Sequence, residues 1–429
     1  MIQSRRITVL AIGSTGDLYP YCALALGLQE AGHQVRVATN SNFETFVRGL
    51  GLDFAAIAGD YQVLLRSELG QKLLQGEMVK LIEDDLLQQQ MNDALAAAQG
   101  TEVFIFNHLA IWGYHVAERL AVPSFLAPTV PLSPTRQFPF LNFSEDTVNL
   151  LKGGLNYASY LLVELSGAWQ SHTLINTVRK AWGLSPLPAL GPRFRSDKPP
   201  YLSPLPILYG VSPSIMPKPR DWRSSIYMTG AWFLDRLEQY EPPTALVKFL
   251  EAGETPICIG FGSMADANSE VLTDIVIDAV AASKQRAILL SGWGALGRIE
   301  TAGLFRDQVF VVESVPHSWL FSRVKTVVHH GGAGTTAAVC RAGLPSVVVP
   351  FFADQIGWAK RLHQLGVSPE PISRKQLTVE SLAAAIETAT GDPVMQQKAA
   401  QLGMKVNNEN GVQQAVSVIH QHLESIAIG

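Results

Sequence analysis

Short runs of Val, Ile, Leu and Phe alternate with longer amphipathic stretches from the beginning of the chain. Ile7 to Ile12 reads as a buried strand, and Tyr21 to Ala31 as a helix closed by Gly32. Gln34 to Thr39 is the next strand, and Phe43 to Leu50 a helix closed by Gly51. Apolar strands separated by helices predict a βαβα opening around a parallel sheet, because parallel strands are covered on both faces. Val103 to Phe106 and the run Ile111 to Leu120 continue the alternation as strand and helix. Residues 129–142, rich in Pro, Thr and Ser, predict a long loop at a strand end. Leu151 to Trp182 predicts one long helix. Its stripe of Tyr157, Tyr160, Leu161, Leu162, Leu165 and Trp169 is expected to pack in the core, the wall of a binding site being the alternative.

The pattern breaks between residues 185 and 223, where Pro186-Leu187-Pro188 and Pro217-Lys218-Pro219 mark extended connectors and a hinge. A second alternation follows. Pro256 to Phe261, Arg286 to Ser291, Val309 to Val312 and Thr326 to His329 read as strands, and Glu270 to Ser283 as a helix. Both halves therefore read as doubly wound α/β units, divided here as residues 1–215, 216–410 and 411–429, the last holding a helix from Val412 to Ile426. A chain of 429 residues is long enough for two large cores. Its 33 basic and 37 acidic side chains leave a net charge of −4, so no global basic field recruits nucleic acid or anionic lipid. Cys22, Cys258 and Cys340 are scattered and read as reduced thiols. Met1-Ile2-Gln3-Ser4-Arg5-Arg6 enters a strand with no signal-peptide core, and no apolar run reaches the ~20 residues that span a bilayer. The expectation is a cytoplasmic protein whose contact with membranes is peripheral at most.

The most informative stretch is His329-His330-Gly331-Gly332-Ala333-Gly334-Thr335-Thr336. It follows a strand and opens a helical pattern, Ala337 to Ala342, that stops at Gly343. A strand, a glycine turn and a helix N-terminus make an anion site, because close backbone approach and free N–H groups meet at the positive end of the helix dipole. His330 adds a ring donor that could be cationic beside phosphate, and Thr335 adds a hydroxyl. After Pro345 to Pro350, which reads as a strand, Phe351-Phe352-Ala353-Asp354-Gln355 puts an acid and an amide where they would grip sugar hydroxyls. Gly260-Phe261-Gly262-Ser263 forms a second glycine turn after a strand; Ser263 is a candidate phosphate or ribose donor, or else a helix cap. Together these predict a nucleotide-sugar site.

Residues 325–367 resemble the nucleotide-sugar signature of glycosyltransferase family 1, in the branch of sterol 3-beta-glucosyltransferases and antibiotic-tailoring glycosyltransferases. Gly13-Ser14-Thr15-Gly16-Asp17-Leu18-Tyr19-Pro20 resembles the opening motif of that branch, which places Ser14 and Gly16 beside the donor. Thr129 to Pro139, with Leu132, Thr135 and Phe138, resembles the acceptor-side segment of the sterol enzymes, as does Leu155-Asn156-Tyr157-Ala158-Ser159-Tyr160. The resemblance implies a GT-B architecture: two Rossmann-like, doubly wound parallel-sheet domains facing across a cleft, with the last helix crossing back onto the first domain. It implies inverting O-glycosyl transfer from UDP-glucose or a related UDP-sugar to a sterol or similar lipophilic alcohol. The UDP-sugar is a co-substrate; no cofactor and no metal are expected.

Two departures from the family pattern stand out. Many plant relatives stack a tryptophan on the base just before the proline matching Pro316, and Ser314 stands in that place here. Trp293 is the candidate for base stacking, with a core or rim role as the alternative, and the backbone of Val315 would read the base edge. Asp17 stands where many members carry a catalytic histidine, and Asn107 where they carry the acid that orients it. A carboxylate has no tautomer to fix, so the two changes fit one another. Asp17 is thus the candidate general base, His108 its rival, and a plain helix-capping role the alternative for Asp17. Carotenoid, phenolic and macrolide acceptors remain open. From other classes, so do a UDP-sugar epimerase and a non-catalytic partner on the same fold.

Overall fold

The computed structural model of the chain describes residues 3–74, 82–143, 150–187, 205–235, 240–262, 269–292 and 308–428. Among these, twelve strands form two sheets whose every pairing is parallel. The first sheet contains β1 (Arg6–Leu10), β2 (Gln34–Asn40), β3 (Asp53–Ile57), β4 (Val103–Phe106), β5 (Ser124–Leu126), β6 (Ile207–Tyr209) and β7 (Ile226–Met228), in the order β3-β2-β1-β4-β5-β6-β7. The second contains β8 (Ile257–Gly260), β9 (Ala287–Leu290), β10 (Val309–Val312), β11 (Val327–His329) and β12 (Ser346–Val348), in the order β10-β9-β8-β11-β12. Strand order reverses between β1 and β4 in one sheet and between β8 and β11 in the other. A doubly wound sheet leaves a crevice at the C-terminal ends of its strands at such a reversal. β7 still belongs to the first sheet, so that sheet extends past residue 215.

The central strands are apolar because helices cover both faces. Val9, Val37, Val103 and Ile105 pack with Leu18, Tyr21, Cys22 and Leu24 of the helix Thr15–Glu30. The last helix, Gly411–Ile428, closes the same core with Ala415, Val416 and Ile419, and Val412 sits on Gly27 of the first helix. At its outer end His420 Nε2 lies 2.7 Å from His33 Nε2. All three cysteines are free and buried, and burial pushes each thiol up to about 12.

Two elements differ from the sequence expectation. The first helix begins at Thr15, six residues before Tyr21, and runs through Pro20. A proline removes one helical hydrogen bond and crowds the carbonyl four residues back. That residue is the exposed Gly16, which tolerates both, while the capping box of Ser14 and Asp17 holds the first turn. The aromatic–aliphatic stripe of the long helix Leu150–Ala181 is not a core stripe. Tyr160 is buried, but Leu161, Leu162 and Leu165 are exposed, as are Leu151 and Leu155. The helix is apolar on more than one side, and among the described residues the loop 129–142 packs against its Tyr160 side. Among the described residues no helix is long and apolar enough to cross a membrane.

The C-terminal end of that long helix is fixed by a largely buried ion pair. Arg179 donates to both carboxylate oxygens of Glu118 at 2.6 and 3.0 Å, and also to His115 Nδ1 and the Ser185 carbonyl. The side chains are 4% and 20% exposed. Burial alone would raise the Glu118 carboxyl, but the neighbouring His115 and the hydrogen bonds and charge of Arg179 pull it down to about 2. The folded pKa lies below the unfolded one, so this stabilisation is present at neutral pH and is lost as pH falls from the ordinary carboxylate range through about 2. Glu118→Gln, which strands the Arg179 charge, should cost about 3 kcal/mol in urea unfolding at neutral pH. The gap from wild type should narrow as the pH is lowered through that window.

Candidate active site

β1 ends at Leu10, and the chain turns through Gly13 into the first helix. Ser14 caps that helix, and Asp17 Oδ2 accepts from both Ser14 N–H and Ser14 Oγ at 2.8 Å. A Cβ on Gly13 would lie 2.6 Å from Asp17 Oδ2, and Gly13 has φ +132°, so this position requires glycine on both counts. Asp17 is therefore the third residue of the helix and not its cap. One oxygen braces the turn, and the half-buried carboxylate remains at the strand end.

Beside it, at the end of β4, Asn107 is fully buried. Its Nδ2 donates to the Ile12 carbonyl at 2.7 Å and its Oδ1 accepts from Ala110 N–H at 3.0 Å. His108 follows, with Nδ1 buried and, among the described residues, without a hydrogen-bond partner. Burial pushes the His108 pKa down and the Asp17 charge pushes it back up, which puts imidazole and carboxylate in one electrostatic neighbourhood.

In the second domain the helix after β11 starts at Ala333, four residues earlier than the sequence pattern suggests. Gly332 is its N-cap, so Ala333, Gly334 and Thr335 form the first turn, whose N–H groups have no partner within the helix. Gly and Thr are weak helix formers, which hid these residues in a propensity reading. A Cβ on Gly332 would fall onto His330 Nε2, and Gly262 at the end of β8 borders the same ring. Among the described residues His330 Nδ1 and the Thr336 hydroxyl are buried without partners. Burial, with His317 adding repulsion, pushes His330 down to about 4; His317 itself lies near 4 and His329 near 3. In the absence of a phosphate this favours the neutral ring of His330, which offers a ring N–H. Val315 is buried, and among the described residues its backbone groups take no hydrogen bond. Ser263 and Trp293 lie outside the described residues.

Asp354 opens the helix Asp354–Gln364 after β12. Burial pushes its carboxyl up to about 7; the Trp358 indole, donating to Oδ2 at 3.0 Å, opposes this, and the Asp17 charge adds to it. Ala353 before it has φ +54°, a strained setting for a residue with a side chain. Gln355 braces the turn, its Oε1 accepting from Phe351 N–H at 2.8 Å and Phe352 N–H at 3.3 Å. The amide oxygen is thereby committed to the turn that presents Asp354.

The loop 129–142 is clamped from two sides. Tyr209 Oη accepts from Leu132 N–H at 3.0 Å and Ser133 N–H at 2.7 Å. Thr135 Oγ1 donates to Asp221 at 2.6 Å, and Asn156 of the long helix donates to the Arg136 carbonyl at 3.0 Å. Phe138 is buried edge-on against Phe143, whose ring lies 4.9 Å from that of Trp358. Thr135 and Phe138 thus act within the loop, and Leu132 is the partly exposed member of the three. Through Phe143 the loop leans on the helix that begins with Asp354.

Comparison with known proteins agrees with this layout. Residues 7–139 match the profile of the glycosyltransferase family 28 N-terminal domain, and residues 296–423 that of the erythromycin biosynthesis protein CIII-like C-terminal domain. The chain is 36% identical to a sterol 3-beta-glucosyltransferase of Arabidopsis thaliana, over 97% of this chain and 68% of that protein. It is 35% identical to the sterol 3-beta-glucosyltransferase of Pichia angusta, over 99% of this chain but 34% of that one, so it spans about a third of the fungal relative's length. The crystal structure of the kitacinnamycin glycosyltransferase superposes with a TM-score of 0.70 at 17% identity, covering 98% of this chain and 99% of the other. The chain belongs to the glycosyltransferase family of the sterol 3-beta-glucosyltransferases and carries its GT-B fold.

Proposed function

We propose that this glycosyltransferase transfers glucose from UDP-glucose, with inversion and without a metal, to the hydroxyl of a sterol or similar flat lipophilic alcohol. The observation that carries the reading is that the Asp17 charge adds to the upward push of burial on the Asp354 carboxyl, which brings the acids that follow β1 of one sheet and β12 of the other into one electrostatic neighbourhood. Asp17 takes the proton of the acceptor hydroxyl as its oxygen attacks the anomeric carbon. The bond from that carbon to the diphosphate oxygen breaks, and the electron pair leaves with UDP. The N–H groups of Ala333, Gly334 and Thr335 and the neutral His330 ring receive the phosphate charge. Asp354 accepts hydroxyls of the sugar, and Leu132 lines the acceptor side on the stiff loop 129–142. The sterol preference rests on the relatives' printed activity and on the apolar character of that loop. The proposed site of action is the cytoplasm, with membrane contact at most peripheral.

Incubation with UDP-glucose, EDTA and a panel of a sterol, a flavonoid and a fatty alcohol, read by mass spectrometry, should give a sterol glucoside with the β configuration. Turnover abolished by EDTA and restored by Mg²⁺ would count against the metal-free reading. Asp17→Asn should lower kcat by about 10²–10⁴ while UDP affinity stays nearly unchanged; a larger loss in His108→Ala would exchange the two roles. The Asp354 carboxyl titrates near 7, so its hydroxyl-accepting form grows as pH rises. KM for UDP-glucose should therefore fall between about pH 6 and about pH 8, UDP affinity should not follow it, and Asp354→Asn should flatten the trend.

A further inference from the structure

The Ile12–Gly13 peptide lies two residues beyond the end of β1, where no strand pairing satisfies its polar groups. Both are taken by side-chain amides from neighbouring strand ends. Asn107, one residue beyond β4, donates Nδ2–H to the Ile12 carbonyl at 2.7 Å. Asn40, the last residue of β2, accepts the Gly13 N–H on Oδ1 at 3.3 Å. Each asparagine is fully buried, and each uses its other end to tie a further element. Asn107 Oδ1 accepts from Ala110 N–H, two residues after His108, and Asn40 Nδ2 donates to the carbonyls of Ile57 and Ala58 at the end of β3. One peptide plane is thus held at both edges from two strand ends of the sheet, one of them tied in turn to a third.

That peptide is the seat of Asp17. The carboxylate lies against Gly13 Cα with no room for a Cβ between them, and its Oδ2 is gripped by the N–H and hydroxyl of Ser14, the next residue. Release of the Ile12–Gly13 plane would let Gly13 Cα, against which Asp17 packs, and the following Ser14 N–H shift, and the carboxylate with them. We propose that Asn40 and Asn107 are positioning residues that act through this peptide to aim Asp17 at the acceptor hydroxyl, an inference that rests on Asp17 being the general base. Asparagine suits both places because a short amide presents a donor and an acceptor at once, without a charge that burial would oppose.

The test is a double-mutant cycle with UDP-glucose and cholesterol as the probe pair. Asn107→Ser in the wild-type background should lower kcat by about tenfold to a hundredfold, the scale of a misplacement near one ångström, with UDP affinity by calorimetry changed less than about twofold. In the Asp17→Asn background the same substitution should lower the residual turnover no further, because the group it aims is gone. An equal fold-loss in both backgrounds, or no loss in the first, overturns the proposal and leaves the asparagines as strand-end satisfiers. Asn40→Ser, which reaches the same peptide from the other strand, carries the same cycle if the first variant is not recovered folded. If Asp17→Asn itself keeps kcat, the base assignment fails, and that result is separate from the non-additivity on which the clamp is judged.

Discussion

Parallel pairing throughout both sheets means that each strand must be followed by a return crossing before the next can pair. All strands of a sheet then finish at one edge, and the loops leaving that edge inherit whatever polar groups the pairing leaves over. In this molecule those loops carry Asp17, Asn107, His108, Gly262, His330 and Asp354. The reversals of strand order, β1 against β4 and β8 against β11, separate the returning helices and leave room between them. The site follows from that constraint.

Within the crevice the charges are few. Burial pushes His317, His329 and His330 further below the ordinary imidazole value of about 6.5, so in the proposed reaction a diphosphate would meet oriented N–H groups instead of imidazolium charge. Asp354 is held near neutral pH chiefly by burial, and the Asp17 charge adds to that push. A site built on fixed dipoles needs little reorganisation when charge moves onto the leaving group.

Much of this could be read in the sequence, and the reasons for the gaps are specific. The strands showed clearly because runs such as Val103 to Phe106 are apolar on both faces and bounded by turn residues. The glycine turn at 331–334 was legible for its chemistry but not for its helix start, since Gly332, Gly334 and two threonines speak against a helix while first-turn geometry and packing favour one. Pro20 read as a beginning because proline seldom sits in a second turn; only the Ser14–Asp17 brace and the open space at Gly16 explain why it does here. Asn40 escaped notice altogether, since its part depends on a peptide far away in sequence. Asn107 drew attention by resemblance, yet its bond to Ile12 needed coordinates. Leucines on the long helix looked like core because hydrophobicity alone does not say which side of a helix has a neighbour.

The last helix has a consequence for how the chain is made. Ala415, Val416 and Ile419 fill the core of the first sheet, so that sheet lacks part of its packing until the C-terminal eighteen-residue helix has left the ribosome. The N-terminal half emerges first and must wait, with an apolar face open, while the whole second sheet is synthesised and folds. The second sheet has its own core and can form as a unit. The first is completed only when the final helix folds back across it, so a nascent chain stalled before residue 411 should be a client for chaperones even though its N-terminal sheet is already made.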